Sequence, residues 1–262
     1  MKFELSFLFT ILTLSIYGQD IKTYNRNLIL AYNKIDSYSR QNDKTKFSVD
    51  YIDNCNKDFE KLLLNYTSSE PKTLLFKFID LEKKGLKIST SQDGLFRIYS
   101  WDTESGGTMR SFKNVFQYKG NKKVFSQNLL SDNDEYGESE FTYEILDQLI
   151  SKKKTYYIVK CVFIGSSALS YHKIKLFSIE KDKLNENAQL IKTKSGIKNE
   201  IGYEIDFSSN VNQKSDSVDM EYAWLKYDKK SKTILIPLIT AEGKLTKKKI
   251  KYQFKGEYFE KI

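Results

Sequence analysis

Histidine and cysteine are nearly absent from this sequence, with one histidine and two cysteines among 262 residues. A Ser-His-Asp triad needs a histidine, and structural zinc sites are built from several cysteine and histidine ligands. Because His172 is the sole histidine, both kinds of site are nearly excluded unless other residues substitute. We therefore expect no catalytic residue set, no metal site and no cofactor, and we expect His172 to be a partly buried structural side chain.

Proline and glycine are also scarce, at 2 and 12 residues, which argues against long flexible linkers. Hydrophobic residues make up 40% of the chain and aromatic residues 14%. That composition excludes a disordered chain and favours a core of strands rich in aromatic side chains. The length suits one large domain or two small ones.

The first residues have the pattern of a secretory signal peptide. An apolar run follows Lys2, and it is too short and too interrupted to span a bilayer. Ser15 and Gly18 are small residues at positions −3 and −1 of a cut after Gly18. A buried N-terminal helix is the alternative. We expect cleavage, export to the periplasm or the extracellular space, and no transmembrane segment in the remaining chain.

The chain is basic, with a net charge of +9, and most of the excess lies near its end. Residues 226–262 contain eleven lysines against four acidic residues, a net charge of +7. Such a segment could face an anionic lipid, a cell-wall polymer or a nucleic acid. The lysines alternate with strand residues, however, which favours a solvated strand face. We do not expect a nucleic-acid partner.

The two cysteines, Cys55 and Cys161, are far apart in the sequence. In an exported protein they could form a disulfide, worth about 4–5 kcal/mol for so long a loop in the entropy model. Each cysteine, however, lies on the apolar side of a different predicted element, the first a helix and the second a strand. Both positions suit a small buried hydrophobic residue, so we expect two thiols and keep the disulfide as the alternative.

Apolar residues recur every three or four positions over residues 20–38 and again over 48–66, which predicts two amphipathic helices. Pro71 is suited to the first position of a third helix. That helix would place five apolar residues inside, namely Leu74, Leu75, Phe78, Ile79 and Leu81.

From residue 86 the period changes to the alternation typical of strands. After a central hairpin, candidate strands separated by turn signals occupy 122–130, 141–145, 155–164, 171–179, 201–207, 218–227, 233–239 and 245–254. Pro237 predicts an edge or a bulge in its strand. The fold class is therefore α+β, with about three helices followed by an antiparallel β-rich meander, sandwich or propeller-like domain. The expected division is a signal peptide at 1–18, a helical region at 19–85 and a β-rich domain at 86–262.

The central hairpin covers residues 90–118. Asp93-Gly94 is a turn signal, and the strand after it alternates, with Phe96 and Ile98 on one face and the residues Leu95, Arg97, Tyr99 and Trp101 on the other. The return is expected at Ser105-Gly106-Gly107, with positive φ at the glycines and the partner strand at 109–118.

Tyr99, Trp101, Asp102 and Arg110 lie near this return. Exposed aromatic rings beside charges are typical of sugar or protein recognition, so these four residues are our candidate binding site. The alternative is architectural. Trp101 would then anchor the core, and Asp102 would accept hydrogen bonds from amides of the turn.

Two resemblances rest on this hairpin. The residues that resemble the end of a WD-repeat propeller blade are Ser91-x-Asp93-Gly94-x-x-Arg97-Ile98-x-x-Trp101-Asp102-x-x-Ser105-Gly106. Tyr99 and Ser100 are two extra residues in that pattern, and the upstream Gly-His pair is missing. The block Ser-x-Asp-Gly…Tyr-Ser-Trp-Asp…Gly-Gly-Thr-Met also resembles uncharacterised secreted proteins of Bacteroidota-type bacteria, with a signal peptide and an N-terminal helical part. That resemblance implies location and architecture and carries no activity or site residue.

Several short matches to catalytic or metal motifs are weak. Cys161 and His172 would form a nucleophile–base pair only if neighbouring strands align them. Ser-x-x-Lys at Ser170 and Ser195 lacks the order and the Lys-Thr-Gly motif of penicillin-recognising enzymes. The stretch that begins at Asp132 opens like a calcium loop but lacks two expected ligands, so a solvated turn is favoured over a weak calcium site.

The absence of catalytic signatures, the strand aromatics and the basic C-terminal part favour an exported, non-enzymatic binding or interaction protein of the bacterial cell envelope. Its partner would be an envelope protein or glycan. One alternative is a secreted hydrolase with a carboxylate pair from distant strands. Another is an immunity-type inhibitor of a secreted toxin.

Overall fold

The structure is a computed structural model and describes residues 21–38, 40, 49–129, 140–208 and 223–262. Three helices precede a set of antiparallel sheets, so the α+β class is confirmed. Helix α1 covers 21–38, α2 covers Val49–Ser69 and α3 covers Ile79–Lys83. The expected signal peptide and most of the calcium-like turn lie outside the described residues. None of the helices in the described ranges has the length and apolar character needed to cross a membrane.

The third helix differs from the expectation. Pro71 begins a 3₁₀ helix that ends at Leu74, and helical structure resumes only with α3. The helical spacing of apolar residues predicted over this stretch is therefore interrupted, because the chain does not keep 3.6 residues per turn between Leu74 and Ile79. Leu75 and Ile79, which were expected inside, are exposed, whereas Phe78 is buried.

Fifteen strands in the described ranges form three sheets. The first sheet has the order β1-β2-β3-β4, with strands β1 Lys87–Thr90, β2 Phe96–Asp102, β3 Phe112–Lys119 and β4 Val124–Gln127. The second has the order β11-β7-β6-β5, with β5 Thr142–Ser151, β6 Lys154–Ile164, β7 Leu169–Glu180 and β11 Glu200–Asp206, and β8 Lys183–Asn185 pairs only with β7.

The third sheet has the order β10-β9-β15-β14-β13-β12. Its strands are β9 Ile191–Thr193, β10 Gly196–Lys198, β12 Lys226–Asp228, β13 Thr233–Ile239, β14 Leu245–Phe254 and β15 Phe259–Lys261. All its neighbours are antiparallel except β15 and β9, which are parallel. The register of β13 shifts between Pro237 and Ile239, so the expected irregularity at Pro237 is confirmed as a bulge.

The helices and the three sheets stack in four layers, and a hydrophobic cluster lies between each layer and the next. The helices pack on one face of the first sheet through residues that include Leu28, Phe59, Tyr99, Trp101 and Val115. The other face of the first sheet packs on the second sheet through residues that include Phe96, Phe116, Val159 and Phe177. The second and third sheets meet through residues that include Ile158, Ile174, Ile191, Ile234 and Phe259. The second sheet is therefore apolar on both faces.

The cysteines lie in two different clusters, Cys55 against the helices and Cys161 between the first and second sheets. Both are buried and no disulfide joins them, so the expectation of two thiols is confirmed. The two thiols lie on opposite sides of the first sheet, which keeps them apart.

The central hairpin has the expected alternation, with Phe96 and Ile98 facing the second sheet and Tyr99 and Trp101 facing the helices. Its return differs. The loop between β2 and β3 covers 103–111, so the partner strand begins later than expected. The positive φ of this loop falls on Glu104, at 57°, and not on the two glycines, so that expectation is wrong.

The Ser-x-Asp-Gly block forms a turn that is linked to the second sheet. Ser91 Oγ donates to Asp93 Oδ1 over 2.6 Å, and the Leu95 amide donates to the same oxygen. From β6, the Tyr157 hydroxyl donates to Asp93 Oδ2 over 3.1 Å. Burial and the Asp93 charge raise the pKa of Tyr157, which therefore stays a donor. The motif thus joins two layers.

Candidate functional site

Two of the four candidate binding residues from the sequence lie inside the core. Tyr99 is fully buried and Trp101 is 1% exposed. Trp101 Nε1 donates to Asn56 Oδ1 over 2.9 Å, and its ring meets Phe59 edge-on, with centroids 5.0 Å apart. The architectural expectation for Trp101 is confirmed. A binding role for the two rings stays a prediction, and neither ring presents an accessible face to a ligand in this structure.

The other two candidate residues form an exposed ion pair. Arg110 Nη1 lies 3.0 Å from Asp102 Oδ2 and 3.8 Å from Glu104 Oε2. Asp102 Oδ1 accepts the Glu104 amide, which confirms the expected hydrogen bond to the turn. The Arg110 amide donates to the Ile164 carbonyl over 2.9 Å. This bond fixes the loop beside the last residue of β6, which lines the cavities described next.

Within the described ranges, the third sheet does not cover one end of the second sheet's face. Alternate residues of β6 share that face, and Ile158 packs against the third sheet while Lys160, Val162 and Ile164 extend beyond it. The β7 residue opposite Val162 is His172. Here lies a cavity of about 580 Å³, the His172 cavity, lined by Lys160, Val162, Ile164, residues 166–168, Ser170, His172, Phe207 and Trp224.

A second cavity of about 490 Å³, the edge slot, lies between β1 and β5, which are edge strands of the first and second sheets. The Ile145 amide donates to Ser89 Oγ across the slot over 2.9 Å. The carboxylates of Glu82 and Glu144 are on its lining, and it shares Lys160, Val162 and Ile164 with the His172 cavity. The two cavities are therefore neighbours on either side of the β6 row.

His172 is a buried part of the cavity wall, with 2% of its surface exposed. Its ring lies parallel to that of Tyr203 at 5.4 Å and meets Trp224 edge-on at 5.1 Å. Nε2 shares a hydrogen bond with Ser170 Oγ over 2.9 Å, and Nδ1 has no partner in the described part of the chain. Burial, and then the Lys160 charge, lower the pKa of His172 to about 4, so the ring is neutral at pH 7.

The strand register keeps apart two pairs of side chains that the sequence suggested as catalytic, Cys161 with His172 and Ser170 with Lys173. Val162, and not Cys161, is the neighbour of His172 across the sheet. Cys161 therefore faces the first sheet while His172 faces the third, so the two side chains cannot meet. Ser170 and Lys173 are three residues apart on β7 and lie on opposite faces for the same reason.

Trp224 and Lys160 are the site residues that sequence reasoning missed. Trp224 is 39% exposed, and its carbonyl accepts a hydrogen bond from Lys249 Nζ over 2.7 Å. Lys160 is the one charged side chain among the described lining residues of the His172 cavity, and it forms no ion pair or hydrogen bond with any of the residues that the structure describes. Neither residue belongs to a local motif, since only the packing of distant strands brings them together.

Within the described ranges, no group of three or more histidine, cysteine or acidic side chains is arranged to hold a metal ion. The carboxyl groups with a shifted pKa are Glu180, Asp228, Glu242 and Glu257, which are all shifted down and have hydrogen-bond partners at the surface. No protein-family model, curated protein or solved structure matches this chain.

Proposed function

We propose that this chain is an exported, non-enzymatic binding protein of the bacterial cell envelope, and that its ligand occupies the His172 cavity. The observation that carries the proposal is the partly exposed Trp224 ring on a cavity wall that also holds Lys160. Ligand sites are typically concavities of about 300–1,000 Å³, lined mainly by apolar and aromatic groups with a few polar ones. The His172 cavity has that size and that composition.

The chain offers a direct optical test, because it has two tryptophans in opposite environments. Trp101 is buried and remote from the cavity, whereas Trp224 lies on its wall. Fractions of small molecules and glycans from an envelope extract should include one that changes the tryptophan emission of the purified protein. The change should disappear in Trp224→Phe and persist in Trp101→Phe. If no fraction produces a Trp224-dependent change, the proposed site is wrong.

Export is supported by Ser15 and Gly18 after the apolar run. Mass spectrometry of the protein from its native host should show a chain that starts at Gln19 or Asp20. Intact Met1 on protein from the cytosol would contradict export while leaving the cavity hypothesis standing.

A secreted hydrolase is the second candidate, because Ser170 Oγ lies within 2.9 Å of His172 Nε2. A histidine with a pKa of about 4 is a weak general base at neutral pH, which places this candidate behind binding. Hydrolysis of a chromogenic ester that is abolished in Ser170→Ala, with ligand binding retained, would reverse that order.

A further inference from the structure

We propose that the His172 cavity selects a small amphiphilic carboxylate, whose carboxylate lies at the Lys160 ammonium and whose alkyl chain packs on the Trp224 side. This inference deepens the proposed function and rests on it. It concerns the chemistry of the ligand, for which three features of the cavity provide separate arguments.

The first feature is charge. Among the described residues that line the His172 cavity, none is acidic, and Lys160 is the only one with a formally charged side chain once His172 is neutral. Glu144 is the neighbour of Lys160 on β5 but makes no ion pair with it. Lys249 brings a second cation close to Trp224, because its Nζ donates to the Trp224 carbonyl. A partly buried ammonium that has no counter-ion in the described part of the chain favours an anionic ligand group.

The second feature is an excess of hydrogen-bond donors. Ser166 Oγ, in the β6–β7 turn, accepts the amides of Ala168 and Leu169 over 3.1 and 2.9 Å. Its own hydroxyl hydrogen has no acceptor among the described residues. The Lys160 ammonium is also a pure donor. A carboxylate, which only accepts hydrogen bonds, can accept from donors of this kind, whereas an ammonium ligand, which only donates, cannot.

The third feature is the apolar wall. Val162 and Ile164 form one side of the cavity, and Phe207 and Trp224 form another. These side chains are only partly buried, so an alkyl chain that covers them removes apolar surface from water. A sugar would need several polar partners around its ring, and this wall does not supply them. The ligand is therefore an amphiphile with a small anionic head.

The experiment compares three probes with the same chain length, namely decanoate, decanol and decylammonium, each below its micelle-forming concentration. Trp224 emission reports binding to the purified protein. The wild type should bind decanoate at least about tenfold more tightly than decanol, and decylammonium more weakly still. Lys160→Met keeps the apolar stem but removes the charge, so it should lose about tenfold in decanoate affinity without a change for decanol. The matched control is Lys230→Met on an exposed turn, which should bind all probes like the wild type.

Equal affinity of the wild type for the three probes would overturn the carboxylate inference, because selection by charge would be absent. Undiminished decanoate binding in Lys160→Met would overturn it as well. Both results would leave a Trp224-dependent ligand site, and hence the proposed function, intact. A wild type that binds none of the three probes, although an envelope fraction changes Trp224 emission, would reject the amphiphile alone.

Discussion

Trp101 fills the contact between α2 and the first sheet, and its indole nitrogen uses the one side-chain oxygen of Asn56. Trp101→Ala should therefore lower the free energy of unfolding by about 3–5 kcal/mol, as for other large core aromatic residues. The matched control is Trp224→Ala, which removes the same side chain from a partly exposed position and should cost about 1 kcal/mol or less. Chemical denaturation of both variants checks the difference. Equal losses would contradict the burial of Trp101 described here.

His172 should show a pKa near 4 in the folded protein, against 6.5 for an ordinary histidine. Because it is the sole histidine, its imidazole signals in an NMR titration need no assignment against others. The unfolded chain binds the proton more readily than the folded chain between these values. Stability should therefore be retained above pH 6.5 and fall by roughly 3 kcal/mol as the pH drops towards 4.

His172→Gln removes the titrating ring and should reduce this pH dependence between 6.5 and 4, whatever its effect on overall stability. A folded-state pKa near 6.5 would mean that the ring is solvated. The cavity wall would then differ from the one described.

At the scale of the element, two adjacent glycines of the β2–β3 loop differ in the space that surrounds them. A Cβ added at Gly106 would lie 2.2 Å from the carbonyl oxygen of Met109, whereas a Cβ at Gly107 would have no atom within 4 Å. Neither glycine has a positive φ, so steric space alone separates them. Gly106→Ala should cost about 1–3 kcal/mol, and Gly107→Ala should change stability by less than about 0.5 kcal/mol. Denaturation midpoints measure both values.

The alternating and helical spacings of apolar residues predicted the elements that have one clearly apolar face, such as β2 and α2. Such a spacing can be read within the element itself, without knowledge of its partners. These spacings failed over 71–83, where the helix is broken and two apolar residues face solvent. They also missed the three-residue strands β8, β9, β10 and β15, which are too short to show a period. Short strands of this kind are defined by their partners, and partners lie far away in the sequence.

The candidate site was beyond sequence reasoning for a related reason. Lys160 and His172 are ordinary strand residues until β6 and β7 pair, and Trp224 joins them from a segment much later in the chain. The rings of Tyr99 and Trp101 were conspicuous in the sequence because they lie in an aromatic strand. The structure uses that strand to join two layers, which puts both rings in the core.

At the scale of the whole molecule, the layers keep the two cysteines in separate clusters. A thiol reagent in the absence of reductant should label neither cysteine in the native protein and both after denaturation, because burial alone protects them. Absence of label in the denatured chain would instead demonstrate a disulfide. Rapid labelling of the native protein would contradict the packing of at least one layer.

The third sheet has a consequence for the order in which the protein is assembled during synthesis. Its middle strand, β15, comes last in the strand order along the chain, yet it lies between β9 and β14. Until residues 259–261 leave the ribosome, the β9–β10 hairpin and the β12–β14 strands have no strand to join them. The nascent chain therefore presents unpaired strand edges on that side, which other chains can capture. A chaperone that holds the chain until residues 259–261 have been synthesised would shield those edges at the stage when they are most exposed.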